Sequence, residues 1–211
     1  LGILGALGDR LGIALTLHQL GMLFQARGNY AEASEYYARS LTIEEDLGDR
    51  RGLAATLHQL AVMQAERGDY QTAQANYQRS LELAQEIGDL NTVAAVLHSL
   101  GTLAQHQGRD AEAQEHYQAS LELYKRLGDK LNMAATYHQL ALLCAARDHL
   151  TRAERYHRDS LEIATQLNSR YWIALNCHNL GNIAFRRGHY AEAREYYERS
   201  LEMQREIGNR R

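Results

Sequence analysis

The chain has 211 residues, 45% of them apolar and 23% charged, with a formal net charge of −3. That balance suits a globular protein with a core, and it excludes the chain-wide basic surplus needed to neutralise a phosphate backbone, so nucleic acid is not the expected partner. No apolar run approaches a membrane span, and the opening LGILGALG has neither the basic region nor the cleavage site of a signal peptide. Cys144 and Cys177 each fall on an apolar helical position, as small reduced core residues do, which points to a reducing, cytoplasmic setting.

In chain order, Leu1, Ile3, Leu7, Gly8 and Asp9 match Leu41, Ile43, Leu47, Gly48 and Asp49, so residues 1–9 read as the tail of a truncated preceding repeat. A forty-residue period then holds over 10–49, 50–89, 90–129, 130–169 and 170–211, the signature of one continuous solenoid. Each unit reads as two amphipathic helices. In the first unit Leu17, Leu20, Gly21 and Phe24 form one apolar stripe, and Tyr30, Ala33, Tyr37, Leu41 and Leu47 form another. Ten helices are predicted, near 10–27, 30–47, 50–67, 70–87, 90–107, 110–127, 130–147, 150–167, 170–187 and 190–207.

The punctuation agrees. Gly28, Gly68, Gly108 and Gly188 close the first helices and Gly48, Gly88, Gly128 and Gly208 the second, where a left-handed C-cap is needed. Asp49, Asp89 and Asp129 stand where an N-cap carboxylate accepts free amides, and Asn29 with Glu32 resembles a capping box. The fourth unit departs: Asp148 replaces a glycine and Asn168-Ser169 replaces Gly-Asp, though Asn tolerates the left-handed conformation and Ser caps well. Small residues at 21, 61, 101, 141 and 181, and Ala33, Ala73, Ala113, Ala153 and Ala193, mark where helices approach closely. The arginines of the last unit lie among glutamates, which predicts a solvated face with i,i+4 pairs.

These spacings resemble the tetratricopeptide repeat, with Leu17, Leu20, Gly21, Phe24, Ala33 and Tyr37 on its pattern in five copies. The usual Trp is replaced by Leu17, Leu57, Leu97, Tyr137 and Cys177, and no closing proline exists. The forty-residue length resembles the long-helix subtype of the Pins/LGN polarity adaptors and of arrays attached to bacterial signal-transduction NTPases. The resemblance implies an all-α, right-handed superhelix whose first helices line a concave groove.

No phosphate loop, dinucleotide fingerprint, HExxH, GxSxG or CxxC occurs, so an enzyme is not expected. His98 and His106 stand eight residues apart on one helix, about 12 Å along its axis, too far for a shared metal. The recurrent His18, His58, His98, His138 and His178 fall about 160° from Leu20 and its equivalents at about 100° per residue, outside their own helical pairs and toward the groove. With them we expect Met22, Val62, Thr102, Leu142 and Asn182, and the floor residues Gln25, Gln105 and Phe185, to contact a protein or peptide. The competing role for the histidines is to pack and hydrogen-bond between neighbouring first helices, setting the pitch. Trp172 is either a partner anchor or a cover for the core edge. The function expected is a non-enzymatic binding scaffold. Its alternatives are end-to-end self-association, an intramolecular regulatory segment of a signalling protein, or a small-ligand sensor, which would require an enclosed pocket.

Overall fold

The computed structural model describes residues 2–208, with side chains from residue 9 onward; the side chains of Leu1, Ile3, Leu7, Arg210 and Arg211 lie outside the described residues. The described residues form ten helices and no strand: α1 (Gly2–Ala26), α2 (Tyr30–Leu47), α3 (Arg50–Glu66), α4 (Tyr70–Glu86), α5 (Leu90–His106), α6 (Asp110–Leu127), α7 (Lys130–Ala146), α8 (Leu150–Gln166), α9 (Arg170–Arg186) and α10 (Tyr190–Gly208). They belong to the α-solenoid class. Two compact units divide between Gln107 and Gly108. In the first, α1 packs on α2 and α3 on α4, while α1 touches α3 and α3 touches α5. In the second, the pairs are α7 with α8 and α9 with α10, α6 packs on α7, and α7 touches α9.

The helices match the expected spans to within a residue, except at the start. There α1 runs unbroken through Gly8 and Asp9, where the sequence predicts a turn. At the other end Gly208 is the last residue of α10.

Among the described residues seven glycines take positive φ, Gly48 at 67° among them, and Asp49 N donates to Glu44 O at 2.9 Å across that turn. Asp148 and Asn168 adopt the same left-handed conformation without being glycine, at φ 61° and 50°. Four aspartates cap through the side chain: Asp49, Asp69, Asp89 and Asp129 accept from the amides of Gly52, Thr72, Thr92 and Asn132 respectively. Asn29 and Ser169 occupy N-caps but make no side-chain bond, so the expected capping box does not form. A carboxylate makes a charge-assisted bond to an amide, whereas a neutral amide or hydroxyl is a weaker acceptor competing with water.

Close approach decides the pairs. A Cβ on Gly21 would sit 2.5 Å from Tyr37 Cε1, and one on Gly181 would sit 2.6 Å from Tyr197 Cε1. A buried serine then pins each of four second helices to the first: Ser40, Ser80, Ser160 and Ser200 donate to the carbonyls of Ala14, Ala54, Ala134 and Ala174 at 2.7–2.8 Å. Cys144 and Cys177 are buried free thiols. On the last helix Arg194 pairs with Glu198 at 2.7 Å, an i,i+4 contact of the expected kind.

Candidate functional site

The first helices present the candidate face in each unit. His18 and Gly21 are three residues apart on α1, so they share a side of the helix, and Gly21 is where Tyr37 approaches. The imidazole therefore rests on the tyrosine of its own pair, with ring centroids 5.9 Å apart. His58 meets Tyr77 at 5.8 Å, His178 meets Tyr197 at 5.8 Å, and His138 meets His157 at 5.2 Å. This corrects the expectation that the histidines lie outside their own pairs. The angle from Leu20 is right in size, but Leu20 belongs to a neighbouring stripe, and the contact point between the paired helices is Gly21.

The histidines also bridge to the next first helix. His18 Nδ1 lies 2.9 Å from Thr56 Oγ1, His58 Nε2 lies 3.0 Å from Ser99 Oγ, and His138 Nδ1 lies 3.3 Å from Asn176 Oδ1. Burial holds His58 and His98 down at about 4 and lowers His18 and His138. His18, His58 and His138 thus each touch the second helix of their own pair and a side chain of the next first helix. His138 is only 5% exposed, while His178 is exposed.

The other candidates divide by exposure. Met22 and Phe185 are 40% and 58% exposed and free to touch a partner. Val62, Thr102, Gln105 and Leu142 are half-buried, and Thr102 Oγ1 donates to His98 O at 3.2 Å. Gln25 is held from both ends, accepting from Tyr37 Oη at 2.8 Å and donating to Glu66 Oε2 at 3.1 Å. Asn182 accepts from Tyr197 Oη at 2.8 Å. In the second unit Asn182, Phe185 and Arg186 join Ala145, His157, Asn179 and Ile183 around an open cleft of about 410 Å³. Phe185 meets Tyr190, itself 65% exposed, edge to face at 5.5 Å. Trp172 covers a core edge: it packs on Ile173 and Cys177, and its indole meets His138 at 5.5 Å.

Sequence reasoning missed the polar cluster beneath this face. Asn176 Oδ1 accepts from His138 and, at 3.0 Å, from His157, while its Nδ2 donates to Ser160 Oγ and Trp172 O at 2.8 and 2.9 Å. Burial holds His157 at about 4. The signal was a break in the repeat: His157 stands in the column of Tyr37, Tyr77, Tyr117 and Tyr197, and Asn176 in that of Thr56, Val96 and Thr136. Among the described residues no group of three or more His, Cys, Asp or Glu is placed to hold a metal, and no helix is long and apolar enough to cross a membrane.

Comparison with known proteins adds the family. No curated protein matches the sequence significantly. BtubC (BKLC) from P. vanneervenii is 20% identical, with a TM-score of 0.85 over 94% of this chain and 82% of that one. PilF of Pseudomonas aeruginosa is 19% identical, with a TM-score of 0.75 over 92% and 78%. A Rap protein complexed with competence and sporulation factor is 17% identical, with a TM-score of 0.75 over 89% and 52%. Sequence models of the tetratricopeptide repeat match residues 12–86, 92–166 and 174–207. With these matches spread over most of its length, the chain belongs to the tetratricopeptide-repeat family.

Proposed function

We propose that the chain is a non-enzymatic scaffold that binds a protein or peptide along the groove lined by its first helices. The observation that carries this reading is the cleft on α9, where exposed Phe185 stands beside Asn182 and Arg186, an aromatic anchor with polar groups at its rim. In the first unit Met22 is the direct contact and Gln25 with the half-buried His18 and His58 forms the floor; in the second unit His178, Asn182 and Phe185 are the direct contacts. The Rap protein of similar fold, solved with competence and sporulation factor, is a precedent for such an occupant. The two buried thiols favour a cytoplasmic setting.

The test is a peptide selected from a random library against the 211-residue chain, followed by amide hydrogen exchange with and without that peptide. Protection on first helices, including residues 178–186, supports the groove. Protection confined to second helices overturns it.

A second reading is self-association, favoured by the exposed Leu11, Ile13 and Leu15 on α1 and Leu201 on α10. Sedimentation over a concentration series separates the two readings. A mass that rises with concentration and falls when Leu15 and Leu201 become Ser is the signature of self-association.

A further inference from the structure

Glu44 breaks its column: the equivalent positions carry Ala84, Tyr124, Ala164 and Gln204. It is a buried carboxylate, 3% exposed, on α2 beneath α1 and α3. Ser40 Oγ and Thr56 Oγ1 lie 2.9 Å from its Oε1, and His18 Nδ1 donates to Thr56 in turn. No donor reaches Oε2, the only such buried side-chain atom among the described residues. Leaving an acceptor of this kind unmet is costly, and the more so if it is charged.

Glu44 also lines an open pocket of about 450 Å³ with Leu11, Leu15, His18, Asp49 and Ala55 among its walls, and Arg51 at its edge. Arg51 faces away to Asp89, 3.6 Å off, so it leaves Glu44 uncompensated. Both acidic side chains converge on Gly52: a Cβ there would sit 2.5 Å from Asp49 Oδ2 and 3.2 Å from Glu44 Cδ, so the position admits no side chain without displacing Asp49. At equivalent N-caps Thr92 Oγ1 and Asn132 Nδ2 donate to the second aspartate oxygen, a role that Gly52 has no side chain to fill.

We propose that this pocket is a subsite for an alkylammonium group, its nitrogen donating to Glu44 Oε2 and Asp49 Oδ2 and its stem lying on Leu11, Leu15 and Ala55. Two carboxylates select a cation, the apolar walls select a hydrocarbon stem, and the neutral His18 adds no opposing charge. The ammonium comes from a free aliphatic amine or from a lysine side chain. In the lysine form the inference rests on the groove reading above, and in the free-amine form it stands without it.

The probe is n-butylammonium, titrated into the isotopically labelled chain at neutral pH and followed by amide shifts, with butyrate and 1-butanol as isosteres. Saturable shifts are expected at His18, Glu44, Gly52 and Thr56, with neither isostere reproducing them. Glu44→Gln, which places at 44 the residue found at 204, and Gly52→Ala, whose methyl would push Asp49 Oδ2 aside, are each expected to weaken binding by about tenfold or more. Circular dichroism of both variants establishes that they fold, and Glu44→Ala, matching Ala84 and Ala164, serves should either fail. A peptide with one central lysine, compared with its norleucine analogue, separates the sources. Shifts at the same amides assign lysine, and their absence beside a butylammonium response assigns a free amine. No saturable shift with butylammonium, equal affinity in Glu44→Gln, or equal binding of butyrate overturns the proposal even if the groove binds peptides.

Discussion

Asn176 Oδ1 accepts from His157 Nδ1 at 3.0 Å in the interior of the second unit. That bond fixes the proton of His157 on Nδ1, and burial, the largest cause, lowers the ring to about 4. In the unfolded chain the same group titrates near 6.5. Between those values the unfolded state binds more protons, so stability is full above about 6.5, falls as the pH drops toward 4 and levels below it. His58 and His98 act with the same sign. Denaturant titrations at several pH values should show this loss. His157→Tyr, restoring the residue found in the other repeats, should reduce the slope by on the order of 1 kcal/mol per pH unit. An unchanged slope would show that His157 is not neutral in the fold.

The same cluster predicts a non-additive pair. Asn176→Val strands His138 and His157 and should cost about 2–6 kcal/mol, since each unsatisfied buried donor costs about 1–3 kcal/mol. Adding His157→Tyr should recover part of that loss, because one of the two stranded donors is gone. Double-mutant cycles by urea denaturation measure the coupling, and strict additivity would deny it.

Glu44 carries the opposite sign. Burial, its largest cause, raises its carboxyl above the ordinary value, partly offset by the Thr56 hydrogen bond. Its contribution is fully present below the unfolded carboxylate value and is lost as the pH rises through the folded one. Glu44→Gln should therefore stabilise the chain at neutral pH by on the order of 1 kcal/mol and leave it unchanged near pH 4. Equal midpoints at both pH values would mean that the carboxylate is solvated.

Asp148 holds φ 61°, a conformation that costs a side chain about 1 kcal/mol. Asp148→Gly should raise stability by roughly that amount, less what its exposed 2.7 Å pair with Arg186 contributes. Thermal melts of Asp148→Gly beside Arg186→Ala separate the two terms.

The helices were legible because the stripes, glycines and small residues repeat with the packing that requires them. Gly21 and Tyr37 announce their contact by recurring together. The candidate face was legible by position only. His138 is buried because Trp172 and Asn176 of the next first helix close over it, whereas His178 is exposed, yet a forty-residue column assigns both the same role. The most informative residues are those that break their columns. Glu44, His157 and Asn176 hold the buried polar chemistry, and periodicity averages such exceptions away. Asp caps were readable by charge, whereas Asn29 and Ser169 were not, since a neutral cap is decided by competition with water.

Because His138 is buried, replacing it with Glu tests the core rather than the groove. The direct measurement is the affinity of a library-selected peptide for the chain and for Phe185→Ala, His178→Glu and Met22→Ala, with the exposed Glu115→Ala on α6 as control. Groove binding predicts that Phe185→Ala weakens the peptide by about tenfold or more, as loss of an aromatic hot spot does. His178→Glu or Met22→Ala should weaken it less, and Glu115→Ala not at all, with helical content equal throughout. Unchanged affinity in all three first-helix variants, or a loss in Glu115→Ala alone, would contradict the account.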